Sequence, residues 1–130
     1  MVKKHVQGLL QMGESKDTRA LCEQLTKCNA YVVSLVASTR QQAGLPDRYV
    51  HHAQWCGWLE FKGPNTPTTL NQTLTLEHFN KRRPNTAFIV RLPNTIETPR
   101  NVFICTFDGT AQGLLDTLER LSNASLDTID

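Results

Sequence analysis

The sequence has no apolar run approaching the roughly 20 residues that cross a bilayer, so a membrane-spanning helix is not expected. It contains no Gly-rich phosphate loop, no G-x-S-x-G elbow and no Cys–His pairing that stands out, leaving P-loop nucleotide hydrolysis and acyl transfer without support. The four cysteines, Cys22, Cys28, Cys56 and Cys105, are scattered and form no C-x-x-C pair. Free thiols in a reducing compartment explain them better than a zinc knuckle or a disulfide framework. Charge of one sign is also scarce. With a formal net charge of +2 there is no general basic field, and any nucleic-acid binding has to rest on a local patch. The opening MVKKHVQGLL is basic and then briefly apolar but lacks a small-residue cleavage site, which argues against a signal peptide.

What is present is one domain's worth of chain. At 130 residues with 39% hydrophobic content, the protein can bury one core. The expected division is an N-terminal arm over 1–14, a single domain over 15–122 and a flexible tail over 123–130. Ser15 or Asp17 can cap a helix running to about Cys28, on Ala20, Leu21, Gln24, Leu25 and Cys28. AYVVSLVAS, residues 30–38, is dense in β-branched residues and reads as a buried strand. Residues 47–52 and 57–62 read as a hairpin closing near Gln54. Thr68 or Thr69 can cap a second helix to about Arg82 that buries Leu70, Leu74 and Phe79. Strands follow at 86–91 and 101–107, then a helix to about Leu121 on Leu114, Leu115 and Leu118. The order predicts an α/β fold, a hairpin-containing sheet flanked by helices.

The chemistry concentrates between Gly44 and Gln72. Strand alternation points Glu60 and Lys62 one way and Leu59 and Phe61 the other. The midpoint between Asp47 and Glu60 falls between Ala53 and Gln54, so a hairpin closing there sets Asp47 opposite Glu60. Two carboxylates and an ammonium then share one patch. Mg²⁺ or Mn²⁺ suits it, since these hard cations are held by one or two carboxylates plus substrate phosphate. The backbone carbonyl of Phe61, lying between Glu60 and Lys62, can complete the coordination. A surface Glu60–Lys62 salt bridge is the plain alternative. Against it, WLEFKG sets the charges in a strand expected to be largely buried, where unpaired charge is costly.

GLPDRY, then WLEFKG, then Gln72 on the next helix resembles the PD-(D/E)XK nuclease superfamily, and more narrowly its virus-type replication-repair nuclease (VRR-NUC) domain. The resemblance spans roughly 15–92, with 44–72 its specific part. It implies a restriction-endonuclease-like αβββαβ core, and a metal-dependent DNA endonuclease that hydrolyses phosphodiester bonds, on branched or structured DNA. It implies Asp47 and Glu60 as metal ligands, Lys62 as catalytic lysine and Gln72 as a helix residue facing the same site. An acidic residue of the first helix often joins such sites; Glu23 is the candidate and Glu14 the weaker one, and Glu23 fits a solvated helix face equally well. The expected setting is a bacterial or phage-infected host cytoplasm, with DNA as partner and homodimerisation as a way for a minimal domain to gain surface. A nuclease-like module that binds DNA or assembles without catalysis is the alternative.

For DNA contacts the sequence offers Arg40 in the STRQQAG loop, Arg48 after Asp47, and Lys81-Arg82-Arg83 at a helix C-terminus. Arg91 and Arg100 could extend the patch. Cations at that helix end are favoured by the dipole without any DNA. His51 and His52 are adjacent on a strand and point to opposite faces, which disfavours a shared transition metal. Trp58 is expected in the core, and Trp55, at the turn, is expected to be the exposed ring.

Overall fold

The computed structural model describes residues 15–35 and 45–129. The expected N-terminal arm, Glu14, Arg40 and the end of the first strand lie outside them. Helix α1 (Lys16–Lys27) begins where Ser15 Oγ accepts the Thr18 N–H at 3.0 Å. It ends in a Schellman turn: Asn29 adopts φ 73°, its N–H bonds the Thr26 carbonyl, and the Ala30 N–H reaches back to Leu25. Strands β1 (Tyr31–Ser34), β2 (Arg48–His51) and β3 (Cys56–Lys62) follow. Next come α2 (Leu70–Arg82), β4 (Ala87–Arg91), β5 (Thr95–Glu97), β6 (Phe103–Thr106) and α3 (Ala111–Ile129).

Among the described residues the strands form one six-stranded sheet in the order β1-β2-β3-β4-β5-β6. Every pairing is antiparallel except β3 with β4, which run parallel. Helix α2 supplies the crossover that a parallel pair requires. On one face α1 and α3 bury Leu21, Leu25, Leu114, Leu115 and Leu118 against Leu59, Phe61, Phe88, Val90 and Ile96. On the other, α2 sets Leu76 over Ala87 and Ile89, with Trp58 and Phe79 beside them. The expected α/β class is what the chain adopts, and its first elements run in the order αβββαβ.

Several expectations are corrected. Tyr31–Ser34 is an edge strand, half-buried at best, because among the described residues only β2 pairs with it. The short strand β5 was not foreseen: its three residues carry too little pattern to read. Leu70 and Leu74 are 69% and 49% exposed. The α2 face turned to the sheet is instead the row Gln72, Leu76, Asn80, four residues apart. Asn80 bonds Thr86 and Ala87 backbone groups and so sets the helix's rotation. Helix α3 continues through the expected tail to Ile129.

The two tryptophans exchange their expected places. Trp55 is 4% exposed and belongs to the larger core, its indole N–H donating to the Asn85 carbonyl at 3.0 Å. His52 and Trp55 exchange backbone hydrogen bonds around Ala53-Gln54. Trp55 therefore stands in line with residues 57, 59 and 61 on the core face. Gly57 makes room for it, since a Cβ there would collide with the Trp55 ring and the Thr86 carbonyl. Trp58, one step out of phase, is half-buried on the α2 face and stacks on Phe79 with ring centroids 4.7 Å apart.

Candidate functional site

The site begins at an interruption in the sheet. Strands β2 and β3 pair with Arg48 opposite Leu59 and Val50 opposite Gly57, and that register carried on sets Asp47 opposite Glu60 and Pro46 opposite Phe61. Trp58 directs its N–H to Thr86 on the far side of the strand, so residues 57, 59 and 61 direct theirs to β2. Phe61 would exchange the next ladder bonds with residue 46, but proline has no N–H to donate. The Asp47 carboxylate accepts the Phe61 N–H instead, at 3.3 and 3.4 Å to its two oxygens. The Phe61 carbonyl is left with no ladder donor opposite it. Phe61 lines a cleft of about 350 Å³ with Asp47, Glu60, Lys62 and Gln72.

Glu60 is the hub. Its Oε1 accepts the Asp47 N–H at 3.1 Å, and its Oε2 accepts the Gln72 side-chain amide at 3.0 Å. Lys62 Nζ stands 3.4 Å from the same Oε2. Gln72 is itself held, because its Oε1 accepts the Thr69 N–H in the capping box that starts α2. The helix start and the carboxylate thus share one amide side chain.

Asp47 and Glu60 are only 7% and 4% exposed. Burial pushes the Asp47 carboxyl well above its ordinary value of 3.8, and the charge of Glu60 pushes it further, against the Phe61 N–H and Lys62. Burial likewise raises Glu60 above its ordinary 4.5, opposed by Lys62, the Asp47 N–H and Arg48. Cys22 on α1 is pushed up to about 12 by burial and by the charge of Asp47. Two carboxylates in one low-dielectric cleft each resist ionisation while the other is charged. A divalent cation between them would relieve both effects.

The donor set fits such an ion. Two carboxylates and a main-chain carbonyl are hard oxygen ligands, and Mg²⁺ or Mn²⁺ completes its shell with water and phosphate. Among the described residues no group of three or more His, Cys, Asp and Glu side chains gathers for a metal. An ion here would rest on this pair and on main-chain or solvent oxygens.

Other expected residues lie elsewhere. Glu23 is exposed and lines a separate cleft with Arg19 and Arg48. Thr18, Leu21 and Leu25 take the inward stripe of α1, and Glu23 lies about 200° around the helix from Leu21. Arg48 is 4% exposed, on the α1 side of the sheet, and donates to the Asp47 carbonyl at 3.0 Å. Burial lowers its pKa, against the pull of Glu60. Arg91 is bound up with Glu97 and with the Gly63 and Thr66 carbonyls, and Arg100 with Glu77. Lys81, Arg82 and Arg83 are exposed at the far end of α2, about 15 Å from Gln72 along its axis.

The cleft also contains residues that sequence reading missed, namely Ser15, Thr18 and Thr66. Ser15 and Thr18 are three apart on the stripe leading to Leu21 and Leu25, a spacing the sequence did show. Thr66 is placed by Arg91, which lashes the loop after Lys62 through two 2.8 Å hydrogen bonds; no local pattern announces that. The chain matches no protein-family model and no curated protein by sequence, so the reading of this site rests on its residues and geometry.

Proposed function

We propose that the protein is a metal-dependent DNA endonuclease that hydrolyses phosphodiester bonds, of the PD-(D/E)XK type and resembling VRR-NUC domains in its motifs. One observation carries this reading. Asp47 and Glu60 are buried side by side where strand pairing opens, with the Lys62 ammonium 3.4 Å from Glu60.

Asp47, Glu60 and the Phe61 carbonyl would hold Mg²⁺ or Mn²⁺. When bound, such an ion polarises the scissile phosphate and makes water more acidic. The rest of the work falls to the chain. Gln72 and the Asp47 N–H hold Glu60 in a single orientation. Lys62, 10% exposed and anchored by Glu60, presents a cation that can orient the attacking water or stabilise charge building on the phosphate oxygens. The hydroxyls of Ser15, Thr18 and Thr66 give the cleft hydrogen-bonding groups for the same phosphate.

The substrate that follows from the family resemblance is branched or structured DNA, met in a bacterial or phage-infected cytoplasm. A domain this small has little surface for substrate choice, which favours a homodimer. No helix among the described residues is long and apolar enough to cross a membrane.

Nicking of supercoiled plasmid by the purified protein tests the proposal. Mg²⁺ or Mn²⁺ should support nicking, EDTA should stop it, and Lys62→Ala or Glu60→Gln should reduce it at least a hundredfold with an unchanged circular-dichroism spectrum. Nicking that survives EDTA, or that is equal in the variants, overturns the reading. DNA binding without cleavage in either metal would favour a nuclease-like binding module.

A further inference from the structure

The face of β3 that carries Glu60 and Lys62 carries Trp58 two residues earlier, about 7 Å back along the strand. Trp58 is the middle of three rings. Tyr49 of β2 lies against it, tilted, with centroids 4.8 Å apart, and Phe79 of α2 stacks on it at 4.7 Å. All three rings are only partly buried. They line a cleft of about 360 Å³ whose remaining wall includes Arg82 and Arg83, and that volume is in the range of small-ligand clefts. The neighbouring Lys81 is also exposed, and the Arg82 Nε–H is steadied by His78 at 2.9 Å. Among the described residues, no acidic side chain lines this cleft.

We propose that this cleft is a binding site for an unpaired DNA strand, whose bases stack on Tyr49 at the end of the ring cluster, next to Trp58, and whose phosphates meet Arg82 and Arg83. Aromatic faces beside cationic side chains are how single strands are bound without sequence preference, because every base has a π-face. A paired duplex buries those faces, so the site selects a displaced, frayed or branched strand. Charge complementarity identifies the occupant: a cationic rim around apolar rings suits a polyanion with flat, apolar bases. The shared β3 face then joins this cleft to the Asp47–Glu60 site. The inference deepens the nuclease reading by naming the form of DNA held next to the cut.

The test uses the full chain in EDTA, with an oligo-dT strand and a blunt duplex of equal length as probes. The single strand should bind more tightly than the duplex and should quench tryptophan fluorescence. Tyr49→Ala should weaken strand binding by roughly tenfold, the loss of one stacked base. The double variant Arg82→Ala/Arg83→Ala, confined to exposed side chains, should lower the slope of log K against log salt by about 1.4. Trp58→Phe should keep most of the affinity and lose the quenching, which assigns the signal to that ring and not to buried Trp55. Wild-type affinity and salt slope in both the Tyr49 and the double arginine variants would overturn the proposal. If that happens while metal-dependent nicking persists, the stacking site fails and the nuclease reading stands. Strand binding with quenching but no cleavage in any metal reverses that outcome.

Discussion

The two ends of β3 obey different rules within seven residues. At its start the strand is conventionally paired. Gly57 and Leu59 sit in register with Val50 and Arg48, and Gly57 yields its side-chain space to Trp55. At its end Pro46 withdraws the next ladder donor, the Asp47 carboxylate takes up the spare N–H, and two carboxylates collect where the strands part. The first end is organised for packing and tolerates little change of volume. The second is organised for charge and gathers two buried carboxylates, an arrangement that works against the stability of the fold. Such a cost is common where a site is preorganised for a ligand or a reaction.

Substitutions at the two ends should therefore differ in kind. The largest effect is expected from Asp47→Asn, which should cut metal-dependent nicking at least a hundredfold, about 2.7 kcal/mol or more of transition-state stabilisation. The same variant should keep or raise the thermal midpoint in EDTA, because it removes one of two repelling carboxylates and keeps an oxygen for the Phe61 N–H. A lowered midpoint in EDTA would break the contrast. Gly57→Ala should do the opposite, costing about 1–3 kcal/mol by overpacking against Trp55. Nicking by whatever fraction stays folded should be normal, and urea titration alongside a nicking assay separates the two effects.

The charged end should also show in the pH dependence of stability. Asp47 and Glu60 have folded values raised above their ordinary 3.8 and 4.5. Their contribution is thus most favourable below those ordinary values and is lost as pH rises through the raised folded ones. In EDTA, the stability of wild type relative to Asp47→Asn should fall as pH increases from 4 towards neutrality, and Mg²⁺ should reverse the fall by binding the ionised pair. A flat difference across that range would remove the electrostatic half of the comparison. The smallest effect is expected from Gln72→Ala. It should cost about 1 kcal/mol through the lost capping-box bond and the lost partner of Glu60, with slower nicking because Glu60 is less well held.

Much of the site was legible before any coordinates. Asp47 and Glu60 are equidistant from Ala53-Gln54, and the hairpin closes there with two loop residues and no bulge. The alternation that paired Glu60 with Lys62 is the geometric period of any strand. The same alternation was available for Trp55, which stands in phase with Leu59 and Phe61. Its position beside a turn suggested exposure, and the core claimed it instead. Glu23 takes the solvated helix face that was its equal alternative, and it and Arg48 lie off the Asp47–Glu60 cleft for a related reason. An acidic or basic residue near a motif looks like part of it, yet helix rotation turns Glu23 away and strand alternation sends Arg48 to the α1 side of the sheet.

Local order in the chain was enough to specify the α/β class, the αβββαβ succession, the hairpin register and the meeting of Asp47, Glu60 and Lys62. Each depends on periodicity or on counting from a turn, and neither needs distant partners. Tertiary structure alone decided how deeply the carboxylates are buried, and that Gln72 holds Glu60. It also decided that the Ser15–Thr18 stripe of α1 borders the same cleft as Asp47 and Glu60, and that Tyr49, Trp58 and Phe79 come together from two strands and a helix. Burial and convergence depend on which surfaces of separate elements pack together, and that is set by the energy of the whole core and not by any one segment's pattern.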